Sequence, residues 1–166
     1  MRNIIVLFIL IVPILVSCKP EPETSFELIY KNETNSNLVL LNSYGHRDSY
    51  YTDTIFQINA HSQRSILSHR EGVDDINVFP YNLVFQLIPG DSITVIFGDS
   101  LHVLHYPERT TNVYSETLDP NGVLYSESRN IYHASFYFQE KVDDNYFRGT
   151  YTFNQADLDY AIEINE

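Results

Sequence analysis

Six histidines are the residues of this chain best suited to bind a metal ion. His102 and His105 are three positions apart on a predicted strand, and side chains at that spacing point to opposite faces. The sequence has no His-Glu-x-x-His or comparable ligand spacing, and a single cysteine excludes a cysteine-rich zinc site. Isolated histidines are more often surface or hydrogen-bonded core residues. The sequence therefore predicts neither a metal site nor a cofactor.

Acidic residues occur as neighbouring pairs at Asp74-Asp75 and Asp143-Asp144, which raises calcium binding or acid–base catalysis as hypotheses. Calcium needs several oxygen ligands that converge in one loop, whereas Asp143-Asp144-Asn145 fits a hairpin turn. Glycosidase chemistry needs two carboxylates on rigid elements that flank a cleft, and the sequence brings no such pair together. These acidic residues therefore predict turns rather than a catalytic centre.

The segment Gly98-Asp99-Ser100-Leu101 resembles the nucleophile block of the GDSL esterases, and the resemblance implies Ser100 as a nucleophile. That family leads from its serine into a helix and carries an Asp-x-x-His block near the C-terminus. Here residues 101–106 alternate as a strand, and the C-terminal block is missing. We therefore predict that Ser100 is a turn residue and that the chain is not an enzyme and has no catalytic residues. An esterase is kept as the remote alternative.

Residues 42–53 are polar and tyrosine-rich, and we predict that they form a loop. Tyr44, Tyr50 and Tyr51 are its candidate binding residues, because exposed tyrosines offer a rigid contact area with a polar tip. The partner would be a protein or a glycan. The alternative is that these side chains pack across strands, as tyrosines commonly do in β proteins.

Most of the remaining chain alternates with a period of two, which predicts half-buried strands. The predicted strands are residues 25–31, 38–41, 54–58, 63–67, 83–88, 93–97, 101–106, 131–142 and 146–153. Asn154 followed by Asp157 resembles a capping box and predicts a short C-terminal helix, with a final strand through residues 160–164 as its rival. These elements predict an all-β, antiparallel two-layer sandwich, immunoglobulin-like or transthyretin-like, with a closed barrel as the alternative.

The composition of the chain sets limits on its partners. The 166 residues and the 43% hydrophobic content predict one domain with a sizeable core. The formal charge of −12 argues against nucleic-acid binding and against electrostatic docking on anionic lipid.

The first residues read as an export signal. Arg2 precedes an apolar run over residues 4–16, which is too short for a comfortable transmembrane helix but fits a secretory signal. The run ends in Leu15-Val16-Ser17-Cys18, which resembles the lipobox of bacterial lipoproteins. That resemblance implies a signal peptide over residues 1–17 and a diacylated Cys18 as the mature N-terminus. Residues 18–24 would then be an extended tether, and residues 25–166 a single domain anchored to the membrane through its lipid.

Lys19 is followed by alternating prolines and glutamates, which resembles the surface-export signal of Bacteroidetes lipoproteins. The resemblance implies display on the outer face of the outer membrane, with a periplasm-facing position as the alternative. Three tripeptides resemble the O-glycosylation acceptor of the same group: Asp53-Thr54-Ile55, Asp91-Ser92-Ile93 and Asp99-Ser100-Leu101. We expect a non-enzymatic surface module for binding or structure. A glycan-binding accessory protein of an uptake system is the alternative.

Overall fold

The computed structural model describes residues 23–46, 49–71, 91–107, 122–123 and 129–165. Across these ranges the chain forms eight strands and one C-terminal helix. The strands are β1 (Glu23–Asn32), β2 (Leu38–His46), β3 (Ser49–Ile58), β4 (Gln63–Glu71), β5 (Ser92–Phe97), β6 (Leu101–His105), β7 (Phe138–Asp143) and β8 (Tyr146–Phe153), and helix α1 is Gln155–Asn165. Because β1 begins at Glu23, the last two residues of the predicted tether belong to the first strand.

The strands form two four-stranded sheets, in the orders β4-β1-β8-β7 and β3-β2-β5-β6. The predicted two-layer β-sandwich is therefore confirmed, and the described strands do not close into the barrel that was the alternative. One pair departs from the predicted antiparallel arrangement, because β1 runs parallel to β8, from Ser25 opposite Tyr146 to Asn32 opposite Phe153. Parallel strands need a long connection, so hairpin patterns in the sequence give no sign of this pair.

Alternate residues of each sheet fill the core between the layers. In β8, Phe147, Gly149, Tyr151 and Phe153 are buried while their neighbours are half-exposed, which confirms the predicted period of two. The rings of Tyr151 and Phe153 lie 4.9 Å apart, and the Tyr151 ring lies 5.3 Å from that of Tyr137. These buried rings form a rigid aromatic layer under the end of the sandwich where α1 begins.

Within the range 42–53 that was predicted as a loop, residues 42–46 and 49–53 instead extend the paired strands β2 and β3. Tyr44 pairs with Tyr51 and Gly45 with Tyr50, so the three candidate tyrosines lie on paired strands. The loop prediction was wrong because it weighed polarity over the high strand propensity of tyrosine.

Residues 131–142 were predicted as one long strand, and that prediction was also wrong. A 3₁₀ turn occupies Ala134–Phe136, and β7 begins at Phe138. The Asn130 side chain accepts a hydrogen bond from the Tyr132 N–H at 2.8 Å, and the His133 ring accepts one from the Ser135 N–H at 3.3 Å. These local side-chain bonds give the backbone an alternative to a strand ladder.

Helix α1 begins with the predicted capping box. The Asn154 side chain accepts from the Ala156 N–H at 2.9 Å, and Asp157 accepts from the Asn154 N–H at 2.8 Å. Ala161 is fully buried against the sandwich, whereas the neighbouring Ile162 is exposed. The capping box therefore fixes where the helix starts and how Asp157 is oriented.

Several predictions fall outside the described residues. They include the lipobox, the strand over 83–88 and the Asp74-Asp75 pair. Within the described ranges, no helix is both long enough and apolar enough to cross a membrane.

Candidate functional site

A cavity of about 460 Å³ lies between the β5–β6 hairpin, the end of β8 and the first turns of α1. This volume is in the range of small-molecule sites. Its described lining consists of the apolar residues Phe97, Val103, Val123, Phe153 and Ala156 and the polar residues His105, Arg129, Asp157 and Tyr160. The first four apolar residues are buried, whereas Ala156 is exposed and so marks the mouth of the cavity.

Arg129 and Asp157 form a forked ion pair in the wall of this cavity. Nε of Arg129 donates to one carboxylate oxygen of Asp157 and Nη2 to the other. Nη2 also donates to the Thr152 carbonyl at 3.0 Å, and the carboxylate accepts the Asn154 N–H. The hydrogen bond to Asp157 raises the pKa of Arg129 above its usual value. Because both oxygens of Asp157 are occupied, this carboxylate is a structural partner and a poor candidate for a base.

The backbone around Arg129 is fixed by buried hydrogen bonds. Arg129 has φ of +66°, a left-handed conformation that non-glycine residues seldom adopt. The Tyr151 hydroxyl donates to the Arg129 carbonyl at 2.5 Å. The buried Asn130 side chain donates to the carbonyls of Tyr106 and Val123 at 3.0 and 2.9 Å. These bonds hold the unusual conformation and aim the guanidinium at Asp157.

His105 is buried on the inner side of β6 and lines the same cavity. Its Nδ1 accepts a hydrogen bond from the Ile131 N–H at 3.3 Å, so the neutral ring carries its proton on Nε2. Burial, and secondly the charge of Arg129, lower the pKa of His105 to about 3. Within the described part of the chain no group accepts a hydrogen bond from Nε2. His105 thus offers the cavity a neutral hydrogen-bond donor.

Three buried tyrosines lie behind the cavity. The Tyr137 hydroxyl lies 2.6 Å from the Ile131 carbonyl and 3.2 Å from the Tyr30 hydroxyl. Burial raises the pKa of Tyr30, Tyr137 and Tyr151 well above the usual value for tyrosine. These hydroxyls therefore stay protonated at physiological pH and serve as structural hydrogen-bonding groups.

A second, smaller cleft of about 190 Å³ shares Arg129 with the cavity. Phe136 and Phe138 line it together with Thr150, which is the register partner of Phe138. Phe138 is 73% exposed, an unusual exposure for a large aromatic side chain. The cleft therefore presents aromatic rings beside hydroxyl groups at the edge strand β7.

Ser100 lies in an exposed turn between β5 and β6, as predicted. Gly98 begins the turn with φ of +62°, and His102 Nδ1 lies 3.4 Å from the Ser100 carbonyl. Of the three glycosylation-like tripeptides, two have an exposed hydroxyl residue, at Thr54 and Ser100, whereas Ser92 is buried.

The other histidines are dispersed. His102 is exposed and His105 buried, which confirms that they point to opposite faces of β6. His61 contacts Asn35 at 2.9 Å, and His69 contacts Ser25 at the same distance. In the ranges that the structure describes, no three His, Cys, Asp or Glu side chains come together as metal ligands.

The candidate site differs from the one predicted from sequence. The candidate tyrosines lie on the β2–β3 hairpin, whereas the cavity lies against β5, β6 and α1. Asp157 had a signal in the sequence, as a helix cap, and His105 had one as the inward residue of its strand. Arg129 had none, because its role depends on a fold in which residues far apart in sequence meet.

Comparisons with protein-family models, with curated proteins and with solved structures found no match to this chain. The assignment of a function therefore depends on the chemistry of the sites described above.

Proposed function

We propose that this chain is a lipid-anchored, non-enzymatic binding module of the cell surface, and that its ligand enters the cavity beside α1. The observation that carries the proposal is the cavity itself. It combines buried apolar walls with the Arg129–Asp157 pair and the His105 donor, the combination typical of small-molecule sites.

The polar groups of the cavity favour binding over catalysis. A general base works best when its pKa is near the working pH and its acceptor atom is free. The pKa of His105 is about 3 and its Nδ1 already accepts a hydrogen bond, while both oxygens of Asp157 are taken up by Arg129. Ser100 lies in an exposed turn, at which a nucleophile would lack a shielded pocket.

The proposed anchor would hold the domain close to the membrane. Residues 19–22 separate Cys18 from the start of β1, and four extended residues reach about 14 Å. The formal charge of −12 would keep the domain from lying flat on anionic lipid. The ligand would therefore be captured near the membrane surface.

The anchor is tested by labelling cells with an alkyne fatty acid and following the label on the protein. We expect Cys18→Ser to abolish labelling and Lys19→Ala to retain it while reducing digestion by protease added to intact cells. Labelling that survives in Cys18→Ser would contradict the anchor.

The binding role is tested by a small-molecule screen that records thermal stabilisation of the full chain in a non-ionic detergent. Compounds that stabilise the wild type should fail to stabilise Ala156→Trp, because the indole would fill the mouth of the cavity. Gln155→Trp, at the neighbouring exposed position, is the matched control and should respond like the wild type. Equal responses of all three proteins would contradict a ligand site in this cavity.

A glycan-binding role is the second candidate, and the exposed Phe138 in the smaller cleft favours it. Aromatic rings beside hydroxyl groups suit the apolar and polar faces of a sugar. In affinity electrophoresis through gels that contain soluble polysaccharide, the wild type should be retarded and Phe138→Ala should not. Val142→Ala, another exposed apolar residue of β7, is the control. Unretarded wild-type protein in every polysaccharide would contradict this candidate.

A further inference from the structure

We infer that the cavity selects an uncharged small molecule with an apolar body and a hydrogen-bond acceptor, such as a carbonyl oxygen, which the Nε2–H of His105 would hold. This inference rests on the proposed binding function and specifies the chemical class of its ligand.

We expect the ligand to have an apolar body because the buried walls of the cavity are apolar. Phe97, Val103 and Phe153 are at most 3% exposed, and Val123 completes the same apolar lining. An apolar ligand surface that packs against these walls leaves water. The favourable free energy of binding grows in proportion to the apolar area removed from water. Polar groups distributed over the ligand would face these walls with no partner. The walls therefore favour a compact ring system or hydrocarbon.

We expect the ligand to carry a hydrogen-bond acceptor because of the tautomer of His105. Its Nδ1 is committed to the Ile131 N–H, so Nε2 carries the proton. This nitrogen has no acceptor within the described part of the chain, although the residue is 95% buried and lines the cavity. A ligand oxygen at this point can accept from the Nε2–H, whereas a carbon atom that displaced water there would leave the donor without a partner.

We expect the ligand to be uncharged because the charged groups of the cavity are already paired with each other. The charge of Arg129 is balanced by Asp157, and two of its three nitrogens are occupied. An anion would therefore find little uncompensated positive charge in the cavity, and the chain as a whole carries −12. A cation would find the Asp157 oxygens already engaged. A charged ligand would thus lose hydration without gaining a counter-ion.

The same pairing disfavours a carbohydrate in this cavity. A sugar carries several hydroxyl donors, each of which needs an acceptor once it is buried. The carboxylate of Asp157 is occupied, and His105 Nδ1 is occupied as well. A sugar is better suited to the smaller cleft, at which Phe138 is exposed.

The test uses three naphthalenes of nearly equal shape: 2-acetonaphthone with a ketone, 2-ethylnaphthalene with no acceptor, and 2-naphthoate with a negative charge. Each is titrated into the full chain in a non-ionic detergent, with histidine-selective ¹⁵N labelling as the readout. Ala156→Trp in the same detergent corrects for partition of the probe into micelles, and Gln155→Trp is the matched control.

We expect the ketone to shift the Nε2–H resonance of His105 and to bind about fivefold more tightly than the hydrocarbon, the effect of one hydrogen bond. The naphthoate should bind no more tightly than the ketone. His105→Phe should bind the ketone and the hydrocarbon equally, and circular dichroism checks that this variant is folded. If it is not folded, the His105 resonance of the wild type decides the question.

The outcomes separate this inference from the proposed function. Equal affinity for the ketone and the hydrocarbon, or the tightest binding for the naphthoate, would contradict the inferred ligand class. The cavity itself would still be a small-molecule site. Failure of all three probes to distinguish the wild type from Ala156→Trp would overturn the inference, whereas the broader screen described above tests the binding function itself.

Discussion

Arg129 and Asp157 join two parts of the chain through a forked ion pair, although 28 positions separate them in sequence. Asp157 belongs to the capping box of α1, whereas Arg129 begins the segment that leads into the 3₁₀ turn. The pair therefore ties the last helix to the wall of the cavity. It also explains why the first turn of α1, rather than a loop, closes one side of the site.

Replacement of Asp157 by Asn is expected to destabilise the protein by about 2 kcal/mol. Removing one partner from a buried pair costs more than this, but the Arg129 side chain is 37% exposed and water compensates in part. The exposed Asp159→Asn on the same helix is the control and should cost less than about 0.5 kcal/mol. Urea unfolding at pH 7 gives both values, and equal costs would show that the ion pair contributes nothing.

His105 makes the stability of the fold depend on pH. Its pKa is about 3 in the folded chain and near 6.5 when unfolded, so the unfolded state binds a proton that the folded state does not. The neutral, buried His105 therefore makes its full contribution to the free energy of unfolding above pH 6.5. That contribution is lost as the pH falls from 6.5 towards 3, by at most about 1.4 kcal/mol per pH unit.

This dependence is measured by urea unfolding at pH 7.5, 6 and 4.5. His105→Gln should lose less stability over this range than the wild type, because the titrating group is gone. His102→Asn removes an exposed histidine from the same strand and should behave like the wild type. A wild-type slope retained in His105→Gln would assign the pH dependence to other groups.

Local patterns account for the parts of the fold that the sequence predicted well. The β5–β6 hairpin follows from alternation on each side of Gly98, and α1 follows from the spacing of Asn154 and Asp157. Each of these signals lies within a few residues. The parallel pairing of β1 with β8 depends on contacts between the two ends of the domain, which no local pattern contains.

The cavity was not predictable for a similar reason. It is assembled from β5, β6, β8, α1 and the segment around Arg129, and only the tertiary fold brings them together. The tyrosine-rich segment was predicted to bind a partner because of its composition. Composition, however, does not distinguish a recognition loop from an extended hairpin, since tyrosine suits both.

Asn130 is expected to be among the most sensitive polar residues of the domain. It is fully buried and makes three hydrogen bonds to backbone groups of Tyr106, Val123 and Tyr132. Asn130→Ala would remove three buried hydrogen bonds at once and should cost about 3 kcal/mol. The exposed Asn59→Ala should cost less than about 1 kcal/mol in the same thermal and urea measurements. Similar costs for the two variants would contradict the structural role of Asn130.

The turn between β5 and β6 should depend on Gly98 more than on Ser100. Gly98 has φ of +62°, and a Cβ built there meets nothing within 4 Å, so the cost of Gly98→Ala would come from the backbone alone. A left-handed conformation costs about 1–2 kcal/mol for a residue with a Cβ. Ser100 is exposed, and Ser100→Ala should cost no more than about 1 kcal/mol, the scale of one local hydrogen bond.

The same two variants separate a turn from an active site. If Ser100 is a turn residue, the wild type and Ser100→Ala should hydrolyse p-nitrophenyl acetate at the same rate as buffer, because the exposed turn lacks a shielded oxyanion site. Gly98→Ala should lower the free energy of unfolding and leave the rate of ester hydrolysis unchanged. Hydrolysis by the wild type that disappears in Ser100→Ala would contradict the turn assignment and revive the esterase alternative.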